Sequence, residues 1–357
     1  MPRAIRRITD EKPQEKLWDT YLFLESEPTA LNILLRCYRR QGEIEAQSLA
    51  YQNTAPFIYY LHQARAYYRT AKQADLIVKP LLLYYGMTSL TKAYVLTLDP
   101  HYPAHTGLLR HGITTRKRKK RDYRFREDEV KIQKEGLVPH VLSLLHMTNG
   151  LEEKYVIGEC LAQLPHLYDS YRQVTRQSLL HPVYVPNNTD EQFVLHETTM
   201  YVDEAVLDRF NLSRDGFVRM LNRYNNDDAG GTFELKNNRT SHRHFAVGWQ
   251  HPEVKHVSMS GNGFENALFL QDAAGQHYLR LTTERRLHLP EFVLHLFLLF
   301  HLGMLARYET EHWGDIVLTF GSEERYLIHE LLQHTERYFP NLILNEILDE
   351  QFMFTQP

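Results

Sequence analysis

Hydrophobic residues along this chain change their period twice, and that double switch constrains the fold more than any other feature. Up to Leu180 they recur every three or four residues, the spacing of an amphipathic helix. Leu17, Tyr21 and Leu24, then Leu31, Leu34 and Leu35, predict helix over 17–37 with an interruption near Pro28. A second pattern starts at Ile44 and continues through Phe57, Leu61, Ala64, Tyr67, Tyr68 and Ala71. A third runs from Pro80 to Leu98; Pro80 suits a first helical turn, where its missing N–H has no partner to lose, and Asp99-Pro100 ends the run. Helical character resumes over 127–145, around a turn at 136–139, and again over 160–180. From Val183 short runs rich in β-branched and aromatic residues take over: 183–185, 193–195 with 200–202, 232–235, 244–249, 254–259, and a hairpin of 267–270 with 277–281. One helix over 204–224, with Asp203 as its N-cap, interrupts them. Helices return after Pro290 through Ile316 and over 322–348, where Glu323 and Glu324 place negative charge at the positive helix end. The fold class expected is mainly α with an inserted α/β lobe. N-terminal helices occupy 1–50, a helical-bundle core combines 51–180 with 289–357, and the strand-containing lobe is 181–288.

The run FVLHLFLLFHLGML at 292–305 is apolar on nearly every side, yet it falls short of the roughly 20 residues that span a bilayer and contains His295 and His301. It reads as a central core helix, and no membrane partner is expected. A chain of 357 residues with 43% hydrophobic and 24% charged residues has ample material for more than one lobe, and 17 Gly with 15 Pro argue against long disordered stretches. Cys37 and Cys160, far apart in helical patterns, suggest two buried thiols in a reducing compartment and neither a disulfide framework nor a zinc site. The first ten residues are basic without an apolar run behind them, so no signal peptide is expected and the cytoplasm is the expected location.

Residues 101–126 lack an apolar period and read as a long exposed loop, a kind of segment that is commonly functional. Within it Arg116, Lys117, Arg118, Lys119, Lys120 and Arg121 follow one another without a break, and Tyr123, Arg124, Phe125 and Arg126 alternate rings with guanidinium groups. Eleven Lys/Arg against four Asp/Glu give 110–134 a charge of +7; a whole-chain charge of −3 then leaves about −10 elsewhere. Positive charge concentrated in this way against an acidic background suits phosphate groups, with Tyr123 and Phe125 as rings on which bases could stack.

Other motifs are weaker. Arg307 and His312 fit an R-x4-H spacing that resembles the signature of the HEPN helical ribonucleases, in which arginine steadies a phosphate and histidine acts on the 2′-hydroxyl or leaving oxygen. The same spacing recurs at Arg176 to His181 and Arg239 to His244, and an ion pair of Arg307 with Glu309 or Glu311 would serve equally to anchor the helix end. His329 and His334 stand one residue too far apart for the H-E-x-x-H zinc helix, so no metal is expected. Gly261-Asn262-Gly263 reads as a tight turn, and no cofactor motif occurs. The tyrosines at 59, 60, 67, 68, 84 and 85 lie at helical spacing, suited to core and interface packing with hydroxyls reaching the surface.

Four stretches, APFIYYLHQARAYY, KPLLLYYGMTSLTKAYVLTLDPHYP, HGITTRKRKKRDYRFREDEVKIQKEGL and MLARYETEHWGDI, resemble the YaaC-like family of uncharacterised Firmicutes proteins over nearly the whole chain. The genes of that family tend to neighbour the gene for IMP dehydrogenase, so the resemblance implies a bacterial housekeeping role near purine nucleotides and assigns no activity. Three readings follow. The leading one is binding of nucleic acid, RNA above all, or another phosphate-rich partner through 110–134. The others are a regulatory or scaffolding protein docking on an enzyme of purine nucleotide metabolism, and a metal-independent endoribonuclease using Arg307 and His312. A second copy of the chain is a further candidate partner.

Overall fold

The computed structural model describes residues 4–115, 123–147, 154–186, 194–225, 232–236, 243–256, 268–272, 275–281, 289–319 and 323–355. After β1 (Ala4–Thr9), the first helical stretch divides into α1 (Pro13–Leu24) and α2 (Glu27–Arg40). Ser26 makes the division: its hydroxyl accepts from the Thr29 N–H as an N-cap, with Pro28 in the first turn behind it. Next come α3 (Ala46–Gln73) and α4 (Lys79–Leu98), which pack on each other. Tyr38 of α2 donates to the Leu96 carbonyl at 2.8 Å and accepts from Asn53 Nδ2 at 2.9 Å, so its buried hydroxyl is satisfied on both sides.

The segment expected to be a loop to residue 126 and helical from 127 is more ordered, and different. A 3-10 turn at Thr106–Leu109 precedes β2 (Ile113–Thr115), and a second at Phe125–Glu127 precedes β3 (Glu129–Ile132). Val130 and Ile132 are buried while Lys131 is exposed, a period of two that a helical window over 127–145 averages away. Helix begins only at α5 (Leu137–Leu144). β3 pairs antiparallel with β2 and with β4 (Lys154–Val156), Thr115 opposite Val130 and Val130 opposite Tyr155. The helix expected over 160–180 breaks into α6 (Ile157–Leu161), a 3-10 turn at Pro165–Leu167 and α7 (Tyr168–Thr175), and Leu180 already opens β5 (Leu180–Val183).

Strands then dominate, as the change of period predicts. β6 (Val194–Asp203), β7 (Thr232–Lys236) and β8 (His244–His256) form one antiparallel sheet in the order β6-β8-β7, while β9 (Phe269–Gln271) and β10 (His277–Arg280) make the hairpin and extend β5. Two helices, not one, lie between β6 and β7: α8 (Ala205–Phe210) and α9 (Arg214–Asn225), parted at Asn211 with φ 52°. Asp203 accepts from the Ala205 N–H at 2.8 Å at the start of α8. Met200, Val202, Phe217, Phe233, Phe245 and Trp249 form the core here.

The last elements are α10 (Glu291–Tyr308), α11 (Thr310–Leu318), α12 (Glu324–Leu348) and β11 (Glu350–Thr355). In α10 residues 292–303 are all buried, so its length and apolar composition serve a protein interior. It packs against α4, α6 and α12; Trp313 of α11 donates to the Ile77 carbonyl at 2.8 Å, and Tyr21 of α1 to the Pro340 carbonyl at 2.6 Å. The chain divides into two units. One comprises Arg7–Val174 with Leu289–Pro357 and holds the helical layers; the other comprises Thr175–His288 with Met1–Arg6 and holds the sheets of β5 to β10. The whole is a helix-dominated α+β fold. Cys160 is buried and Cys37 half-buried, and the two are not joined in a disulfide.

Candidate functional site

The helical unit gathers its polar side chains along the C-terminal half of α10. Phe300, Met304 and Arg307 fall at helical intervals on one face of that helix, and His301 lies one step round from Phe300. Two clusters result, one on each of these faces.

The first cluster surrounds His301, which is 3% exposed. Its Nε2 is 3.1 Å from Asp128 Oδ2 and 3.3 Å from the Tyr123 hydroxyl, which donates to the same carboxylate oxygen at 2.7 Å. Facing a carboxylate, Nε2 is the protonated nitrogen, and Nδ1 has no hydrogen-bond partner among the described residues. Burial first, and then the Asp128 charge, push the Tyr123 hydroxyl well above its usual range, so it remains a donor. The rings close the cluster: Phe125 stacks on His301 at 5.5 Å, and His312 of α11 stacks on Tyr123 at 4.9 Å.

Glu324, in the first turn of α12 and 6% exposed, holds the same strip of chain. Its carboxylate accepts from the Phe125 N–H at 3.0 Å and from the Arg126 N–H at 3.5 Å, and pairs with the Arg126 guanidinium at 3.4 Å. Expected only as a charge at a helix terminus, it binds the returning end of the basic segment.

The second cluster lies on the Phe300 face. Arg307 donates from Nε to the Gly303 carbonyl at 3.2 Å, from Nη1 to the Tyr85 hydroxyl at 3.2 Å and from Nη2 to Met304 Sδ at 3.4 Å. The anchoring ion pair expected with Glu309 or Glu311 is replaced by these neutral contacts. Tyr85 also stacks on Tyr67 of α3 at 5.7 Å. The Tyr84 hydroxyl, held protonated by burial, is hydrogen-bonded to His111 Nδ1 at 2.9 Å. Burial, then the charges of Arg307 and Lys92, lower the His111 pKa from its ordinary value.

Two glycines fix His111. Gly112 has φ 74° and Gly136 φ 133°, values a side chain makes strained, and a Cβ on Gly136 would stand 2.4 Å from the Gly112 Cα. That approach lets the N–H groups of Leu137 and Val138 bond to the carbonyls of Arg110 and His111, at 2.7 and 3.2 Å.

Placed against the sequence expectations, Arg307 and His312 belong to different clusters and engage different partners. Arg116, Lys117, Arg118, Lys119, Lys120 and Arg121 lie outside the described residues, between the end of β2 and Tyr123. Arg124 is exposed and pairs with Glu127 at 3.8 Å. The expectation that Phe125 offers its ring to a base is corrected: it is fully buried, and Tyr123 is half-buried beneath His312. Of the six tyrosines, Tyr68 and Tyr84 are buried whereas Tyr59 is exposed. His329 bonds to Gln333 and His334 stacks on His166; among the described residues no three metal-ligating side chains converge.

Asp128, Lys92 and His111 were not singled out from the sequence, and His301 and Glu324 were named only as a polar residue of the apolar helix and a charge at a helix end. One signal pointed to His301, because an imidazole inside a wholly apolar helix requires a polar partner. Nothing local indicated which.

The family model for YaaC-like proteins matches residues 22–347. This chain belongs to the YaaC-like family. No curated protein and no solved structure matches it. Both clusters of this YaaC-like chain, at 84–128 and 300–324, fall within the matched span.

Proposed function

We propose that this YaaC-like protein binds RNA through the basic segment 110–134. The observation that carries the reading is the charge of +7 in 25 residues of a chain whose remainder is about −10. Binding of this kind rests on phosphates, since each neutralised phosphate releases a condensed counterion. The frame around the segment supports it. Thr115 is paired in β2 at one end, and Phe125, Arg126 and Asp128 are locked by Glu324 and His301 at the other, so six consecutive cations are tethered at both ends to the helical unit. With Phe125 buried and Tyr123 under His312, charge outweighs stacking in this reading.

The test is fluorescence anisotropy with single-stranded RNA across a salt series. Affinity should fall with a log–log slope of about −0.7 per contacted phosphate. Changing Arg116, Lys117, Lys119 and Lys120 to Ser should weaken binding and flatten that slope. Wild-type protein without salt-sensitive RNA binding at low ionic strength sinks the reading and leaves docking on an acidic protein surface as its successor. The nuclease reading has the sequence spacing behind it, and the separate partners of Arg307 and His312 add nothing in its favour.

A further inference from the structure

We propose that Lys92, His111 and Arg307 form a second anion site, distinct from the basic run, that takes a ligand carrying a diphosphate or similarly dense phosphoryl charge. The inference does not depend on RNA binding. Cations held partly inside a protein are ordinarily matched by carboxylates. Here a chain with 44 acidic residues sets none of them within ion-pairing distance of Lys92 or Arg307 among the described residues. Lys92 Nζ lies over the Tyr60 ring at 5.6 Å and makes no hydrogen bond there, so its three donors are available. Arg307 uses three of its five N–H groups, all on neutral partners, and the Nδ1 of His111 meets the Tyr84 hydroxyl at 2.9 Å.

The spacing makes one surface of these groups. Tyr85 and Lys92 stand seven residues apart on α4, two turns and therefore one face, with a rise of about 10 Å between them. Tyr60 and Tyr67 are likewise seven apart on α3, and the helices match them in pairs, Tyr67 on Tyr85 and Tyr60 under Lys92. Arg307 sits at the Tyr85 end and Lys92 over Tyr60 at the other, and His111 meets the hydroxyl of Tyr84, the neighbour of Tyr85 on α4. A single small anion satisfies one end only; two linked phosphoryl groups can engage both long side chains beside the imidazole. The tyrosine wall is rigid because its rings are stacked and the His111 backbone is clamped at Gly112 and Gly136.

Isothermal titration calorimetry of the full chain at low ionic strength tests this, with inorganic pyrophosphate as the probe and inorganic phosphate and adenosine diphosphate as further arms. Pyrophosphate should bind more tightly than phosphate, and K92M and R307Q should each weaken it about tenfold, the loss expected for one charged hydrogen-bonding partner. R307K, which keeps the charge, should retain most of the binding and so separates loss of the site from loss of the fold. The variant with Ser at 116, 117, 119 and 120 should bind pyrophosphate as wild type does, whatever its behaviour toward RNA. Tighter binding of adenosine diphosphate than of pyrophosphate would identify a nucleotide as the source of the phosphoryl groups; equal binding would identify the free anion. Absence of pyrophosphate binding, binding unchanged in both K92M and R307Q, or binding abolished by the four serines overturns the proposal.

Discussion

The imidazole of His312 lies on the phenol ring of Tyr123 with 4.9 Å between centroids and only 11° between planes. The pair joins α11 to the stretch that follows the basic run in sequence. Beneath it the Tyr123 hydroxyl reaches Asp128, and Asp128 reaches His301, so three elements are tied in one chain of contacts.

Tyr123→Phe keeps the stack and deletes the hydroxyl. A hydrogen bond to a buried carboxylate is worth about 1.5–3 kcal/mol, and the variant should lose stability in that range. Urea unfolding measures it, and RNA affinity should hardly move. A loss of RNA affinity at unchanged stability would show that the hydroxyl serves the ligand and not the Asp128 carboxylate.

Phe125→Ala removes a fully buried ring that stacks on His301. The expected cost is about 3–5 kcal/mol, typical of a large aromatic cut from a core. Had the ring been a free platform for bases, the same change would leave the unfolding midpoint in place and weaken binding alone.

Gly136→Ala would bring a methyl group to 2.4 Å from the Gly112 Cα at a φ of 133°. Strain and displacement together should cost about 1–3 kcal/mol or more. Because the neighbouring N–H groups clamp the Arg110 and His111 carbonyls, pyrophosphate binding should fall as well. An alanine variant with wild-type unfolding and wild-type binding would show that the crossing of the two glycines is looser than described.

Acid should weaken the helical unit through buried histidines. Burial lowers His166 to about 4, the nearby Glu291 opposing this only in part, and lowers His295 to about 3. Both are neutral in the fold and take up a proton on unfolding below about 6.5, their ordinary value. The unfolded state therefore binds more protons between pH 6.5 and roughly 4. Stability from these groups is full above that window and drains as the pH falls through it, by at most about 1.4 kcal/mol per unit for each histidine. Urea midpoints at pH 7, 6 and 5 should decline, and H166Q, which removes one titrating ring, should flatten the slope. An equal slope in H166Q and wild type would show that His166 does not titrate on unfolding.

Much of the architecture could be read along the chain. The period of three to four residues located α1 to α4 and α10 to α12, and alternation with β-branched residues located β6 to β10, because burial of one face imposes its repeat on the residues that supply it. The apolar run of α10 announced a core helix for the same reason. Where elements are short the repeat fails: β3 has four residues, too few to outweigh the helical windows beside it, and pairing with β2 and β4 decides its form.

The site was legible only in its charge. The sequence by itself determined where cations concentrate, that His301 must find a polar partner inside an apolar helix, and that tyrosines recur on two helical faces. Tertiary structure alone decided that the partner is Asp128, 173 residues earlier, that Glu324 receives the N–H of Phe125, 199 residues away, and that Arg307 meets Tyr85 while Lys92 lies over Tyr60. A repeat is a local property, written wherever a helix or strand has one buried face. The partner of a buried polar group is set by how the chain closes in space, and that closure leaves no mark on the residues flanking either member.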